Sequence, residues 1–112
     1  MNCRRTVPAL RELHRLYRDR GLIMIGVHTP EFDEEHEVAA VRRAIQGLEI
    51  PYLVAIDNDN RIWDAFENRY WPATYLIGRD GTIVWKHVGE LHRDTATFKD
   101  ATSRIEAALS AR

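Results

Sequence analysis

Two short apolar runs on either side of a segment with helical periodicity constrain this chain more than any other feature. Leu22-Ile23-Met24-Ile25-Gly26-Val27 and Tyr52-Leu53-Val54-Ala55-Ile56 are apolar at nearly every successive position. A strand with one wet face alternates apolar and polar residues. A continuous run expects cover on both faces, as in the sheets of α/β folds. Between the runs, Asp33 is placed to cap a helix whose stripe is Val38, Val41, Ile45 and Leu48. Glu34 and Glu35 in its first turn suit the positive end of the helix dipole.

The flanking segments extend the pattern. Arg4 to Arg20 carries Val7, Leu10, Leu13 and Tyr17 three or four residues apart, which predicts a helix. Gly21 is placed to end it in a left-handed cap. Asp57-Asn58-Asp59-Asn60 reads as a turn, followed by a short helix over 61–66. Strands are predicted at 74–77 and 82–88, joined by a hairpin at Arg79-Asp80-Gly81. The last helix is predicted over 94–111, with Phe98, Ala101, Ile105 and Ala108 on one face. Strands alternating with helices and closing on a hairpin predict an α/β fold, with a mixed central sheet flanked by helices. The front of this order has a gap. A buried strand after a helix normally answers an earlier parallel strand through a right-handed crossover, and helix 4–20 has no strand before it.

Composition narrows the function classes. A chain of 112 residues is the size of one domain, and 1–112 is read as a single domain. The net charge of −1 gives no electrostatic case for nucleic acid. No apolar run is long enough to span a bilayer, and Arg4 and Arg5 are not followed by a signal-peptide core. One cysteine excludes an internal disulfide framework. It leaves a thiol that is inert, reactive, or paired with another molecule through an intermolecular disulfide. His28, Glu31, Asp33, Glu34, Glu35 and His36 match no zinc spacing, and 57–60 lacks the glycine and distal glutamate of a calcium loop. No phosphate loop, Ser-His-Asp set or nucleotide fingerprint is present, so neither a cofactor nor a metal is expected. Trp63, Trp71 and Trp85 read as core and rim packing.

Three separated motifs, in order, resemble the thioredoxin-like superfamily. Within it they resemble the TlpA-like redoxins, and above all the thioredoxin-like domain of DipZ-type membrane proteins. Asn2-Cys3-Arg4-Arg5-Thr6-Val7-Pro8 resembles the second half of a Cys-x-x-Cys motif with its helix proline. Gly26-Val27-His28-Thr29-Pro30-Glu31-Phe32 resembles the segment after the next strand. Asn68 to Ile77 with Asp80-Gly81 resembles the cis-proline strand and its hairpin. The resemblance implies a thioredoxin-like fold without its first, central strand. It also implies a chain truncated at the N-terminus inside the Cys-x-x-Cys motif.

For function the resemblance implies a thiol–disulfide oxidoreductase acting on protein disulfides, impaired because only the resolving-position cysteine is present. It implies a membrane thiol electron carrier as partner, a link to cytochrome c biogenesis and an extracytoplasmic location. Cys3 is then the resolving thiol, and Pro72 a cis proline with Trp71 and Ala73 in a substrate groove. Glu31 is a proton relay.

The residues themselves leave alternatives open. A thiol at a helix N-terminus is activated by the dipole and free N–H groups, whereas a small core cysteine is inert. The alternative to a cis Pro72 is an ordinary strand start, and Trp71 reads as substrate-facing or as rim. Glu31 serves as an acid–base group if buried, or is a solvated loop carboxylate. His28 reads as a hydrogen-bonded structural histidine. A one-cysteine peroxidase and a non-catalytic peptide-binding remnant are the competing functions.

Overall fold

The computed structural model describes residues 2–30 and 37–110, with side chains from residue 4 onward. Eight principal elements follow in order: α1 (Asn2–Tyr17), β1 (Ile25–His28), α2 (Val38–Gly47), β2 (Leu53–Ile56), α3 (Arg61–Ala65), β3 (Ala73–Ile77), β4 (Ile83–Val88) and α4 (Ala96–Ser110). They divide into two compact units, one of 1–23 with 70–112 and one of 24–69.

The first unit holds α1, β3, β4 and α4. Its buried apolar residues are Val7, Ala9, Leu13 and Tyr17 of α1, Leu91 after β4, and Ala101 and Ile105 of α4. α1 runs through Pro8, which has no N–H to give the carbonyl four residues back. Gly21 ends the 3-10 turn after α1 with φ 109°, and Leu22 N–H bonds back to the Tyr17 carbonyl at 3.2 Å. A side chain is disfavoured at such a φ, which is why glycine stands there. β3 and β4 pair antiparallel from Ala73↔Val88 to Ile77↔Ile83, with a register irregularity at Leu76/Ile77. The hairpin closes by Gly78 N–H to Thr82 O at 2.8 Å and by Thr82 N–H to the Asp80 carboxylate at 3.0 Å.

Trp85 of β4 donates from Nε1 to Asp100 of α4 at 3.0 Å, and Arg79 donates to the Leu109 carbonyl at 3.0 Å. These bonds hold α4 against the hairpin. α4 begins at Ala96, two residues later than predicted. Thr95 Oγ1 accepts the Phe98 N–H at 3.1 Å and so caps the helix, while Asp94 sits at φ 62° outside it.

The second unit is a parallel pair, β1 on β2, registered Ile25↔Leu53 through His28↔Ile56. α2 starts at Val38 after Glu37, which makes no side-chain cap. The predicted cap Asp33, with Glu34 and Glu35, lies outside the described residues. Among the described apolar residues of this unit, Val41 of α2 and Pro30 after β1 are buried.

The four strands form two two-stranded sheets, β1–β2 and β3–β4, in keeping with a mixed sheet that lacks its central strand. One expectation needs correction: the two apolar runs are not covered on both faces. Ile23 is 82% exposed, Ile25 57% and Leu53 78%. Ile25 and Leu53 are register partners, so they share a face of the parallel pair. Both side chains are exposed on that face, so the continuous apolar pattern is not matched by burial among the described residues. Residues 22–24 are accordingly not strand, and β1 begins at Ile25.

Candidate functional site

Cys3 lies in the first turn of α1, where the first backbone N–H groups of a helix have no partner within it. No acidic residue stands in that turn, and Arg4 and Arg5 follow, both exposed. The Cys3 side chain, like the whole of Glu31, lies outside what the structure describes.

The Trp71–Pro72 peptide bond is cis, immediately before β3. Trp71, Pro72 and Ala73 are all half-buried. The Pro72 carbonyl accepts the Gly89 N–H at 2.9 Å, extending the β3–β4 ladder by one residue pair. Gly89 has φ 108°, a left-handed value that turns the chain sharply out of β4.

The residues after that turn reach α1. Leu91, fully buried, donates its N–H to Thr6 Oγ1 at 3.2 Å, and Thr6 is itself 1% exposed. The Glu90 carboxylate lies 3.8 Å from Arg5 Nη1 and 2.8 Å from His92 Nε2. The Glu90 carbonyl lies 3.0 Å from His87 Nε2, and the His87 ring stacks on Trp85 with centroids 6.0 Å apart. One short loop therefore ties the Pro72 strand to the second turn of α1. Nothing in the sequence pointed to Glu90, Arg5, His92 or Thr6 as a set. Eighty-five residues separate Thr6 from Leu91, and only folding brings them together.

The second unit has its own polar centre, at the carboxyl ends of its two strands. Asp57, 2% exposed, accepts from Thr29 Oγ1 at 2.7 Å and from the N–H groups of Ile62 and Trp63 at 2.9 and 2.8 Å. Its own N–H donates to the His28 carbonyl at 2.8 Å. Burial alone would raise its pKa, but the bonds from the Ile62 N–H, the Thr29 hydroxyl and the Trp63 N–H outweigh that and hold it below the usual carboxylate value. The sequence reading saw a turn at 57–60. The signal it missed is an Asp placed to receive the first N–H groups of a helix that starts at Arg61. Thr29 and Pro30 are buried at the exit of β1, so the chain enters 31–36 from an anchored point. His28 ends β1, half-buried. Among the described residues no three His, Cys, Asp or Glu side chains converge to hold a metal ion.

Residues 1–86 match the model of the AhpC/TSA family. The chain belongs to that family. Its relatives include the thiol–disulfide oxidoreductases YkuV and ResA. Over 90 residues it is 41% identical to the protein DipZ of Mycobacterium bovis, covering 80% of this chain and 13% of DipZ. It is 27% identical over 81 residues to the thiol–disulfide oxidoreductase YkuV of Bacillus subtilis, covering 72% of this chain and 54% of that protein. A crystal structure from Chlorobium tepidum, provisionally described as a thiol:disulfide interchange protein DsbE, superposes with a TM-score of 0.83. It shares 20% identity and covers 97% of this chain and 72% of its own. The fold is thioredoxin-like. The chain thus spans only a small part of DipZ and about half of YkuV.

Proposed function

We propose that this domain exchanges thiols and disulfides on protein substrates, with Cys3 as its reacting sulfur. The observation that carries this reading is the loop 89–91. It bonds the Pro72 carbonyl at one end and Arg5 and Thr6 at the other, so the Pro72 strand and the helix bearing Cys3 are fastened together. A disulfide-bearing peptide laid along Trp71, Pro72 and Ala73 then runs toward the first turn of α1. The Cys3 thiolate attacks one substrate sulfur, the substrate S–S bond breaks, and the departing sulfur takes a proton as a mixed disulfide forms. Glu31 is the proposed proton carrier for that step. A lone thiol captures a substrate but has no second thiol to release it, so exchange stops at the mixed disulfide. The place proposed for the domain is extracytoplasmic, in thiol exchange with a membrane electron carrier. This placement rests on its likeness to DipZ-type proteins.

The test is mass analysis after incubation with a disulfide peptide, paired with insulin reduction. Cys3 is expected to form one adduct, absent from Cys3→Ser, and insulin turnover is expected to stay at background. No adduct on the wild-type chain would sink the proposal.

The AhpC/TSA match favours one further reading, a peroxidase in which peroxide oxidises the Cys3 thiolate to a sulfenic acid. Peroxide loss that depends on Cys3, without a peptide adduct, selects it. Neither activity, with peptide binding retained, would mark a non-catalytic binding domain.

A further inference from the structure

Beside α1 the first unit has a pocket lined by Arg5, Pro8, Ala9, His92, Arg93 and Asp94. The exchange reading does not use it. Two of its wall residues already hold a carboxylate. Arg5 and His92 both engage Glu90, which comes from the loop immediately after the Gly89–Pro72 bond. This internal contact shows that both side chains accept a carboxylate. Its Arg5 half is loose, spanning 3.8 Å with the Arg5 side chain 72% exposed, while the His92 half is closer, at 2.8 Å with that side chain 51% exposed. Arg93 adds a permanent cation to the wall, while Asp94 opposes it.

Position along the helix fixes what could reach the pocket. At 1.5 Å per residue, Arg5 to Ala9 lie about 3 to 9 Å along α1 from Cys3. Two or three residues of extended peptide span about 7 to 10 Å. We propose that this pocket is a subsite for an acidic side chain two or three residues from the reacting cysteine of a substrate, whose carboxylate replaces Glu90 on Arg5 and His92. The proposal rests on the thiol–disulfide exchange reading and adds the class of substrate.

The probes are short Ala/Gly peptides with one cysteine held as its mixed disulfide with 5-thio-2-nitrobenzoate, and with Glu, Gln or Lys two or three residues away. The Cys3 thiolate attacks the peptide sulfur and the old S–S bond breaks. The coloured thiolate leaves with the electron pair, so its release reports the rate. The Glu peptide is expected to react about three to five times faster than the Gln peptide, the scale of an exposed ion pair, and the Lys peptide more slowly. Arg93→Gln and His92→Ala should bring the Glu-to-Gln ratio toward one, and Glu90→Gln should raise it. Moving Glu eight residues from the cysteine should abolish the preference, which diffuse attraction by Arg4 and Arg5 would not. Equal rates for Glu and Gln peptides, or a ratio untouched by Arg93→Gln, overturn the subsite. If no peptide releases the dye, the exchange reading fails separately. The same peptides with Ser for Cys, titrated into the chain by calorimetry, then decide the subsite, and equal Glu and Gln affinities refute it.

Discussion

Asp57 shows how one side chain can join three pieces of backbone. It binds Thr29 at the end of β1, it follows β2 directly, and it receives the first N–H groups of α3. Because its carboxyl is held below the usual value, the unfolded chain binds the proton more readily than the folded one. Its contribution is complete above the unfolded value, near pH 4, and is lost as pH falls through the lower folded value. Unfolding midpoints in urea should therefore fall with acidification below about pH 4, more steeply in the wild type than in Asp57→Asn. Parallel acid slopes for the two proteins would count against this account. The residue-level signal was in the sequence only in part. Asp57 is legible as the start of a turn before a short helix, but its bond to Thr29 crosses 28 positions.

Elements were more legible than contacts. The helical stripe of 4–20, the Gly21 stop and the hairpin at 79–81 all appear where spacing and turn chemistry put them. Local rules decide these features, so local sequence suffices. Gly21→Ala should cost about 1–2 kcal/mol, the penalty for an L side chain in a left-handed conformation, read from chemical denaturation. An unchanged midpoint would mean that the turn relaxes. The two apolar runs misled for the opposite reason, since an apolar pattern reports what a strand expects and not what covers it. Leu53, 78% exposed in β2, can therefore be replaced at little expense. Leu53→Lys should change stability by no more than about 0.5 kcal/mol and lower binding of an apolar dye. A loss of 2 kcal/mol or more would show that Leu53 is buried in solution.

At the scale of the whole molecule, the two units differ in how much they bury. Among the described residues, seven buried apolar side chains belong to the unit of 1–23 and 70–112, against Val41 and Pro30 in that of 24–69. Few buried apolar contacts mean cheap local opening. Amide hydrogen exchange should therefore run faster in β1, α2 and β2 than in the buried stretches of α1 and α4. Equal protection in the two units would contradict that ranking.

The sequence by itself determined the order of helices and strands, the hairpin, and the cysteine at the start of a helix followed five residues on by a proline. It also carried the likeness to redoxins, because motifs are local and survive without tertiary information. Only the tertiary structure decided the registers of the two strand pairs and left Ile25 and Leu53 exposed on one of them. It alone joined Pro72 to α1 through Gly89, Glu90 and Leu91, and it alone made a buried Asp57 the centre of the second unit. Those contacts close loops of tens of residues, and no local propensity encodes which distant groups will satisfy a given N–H or carboxylate once water is excluded.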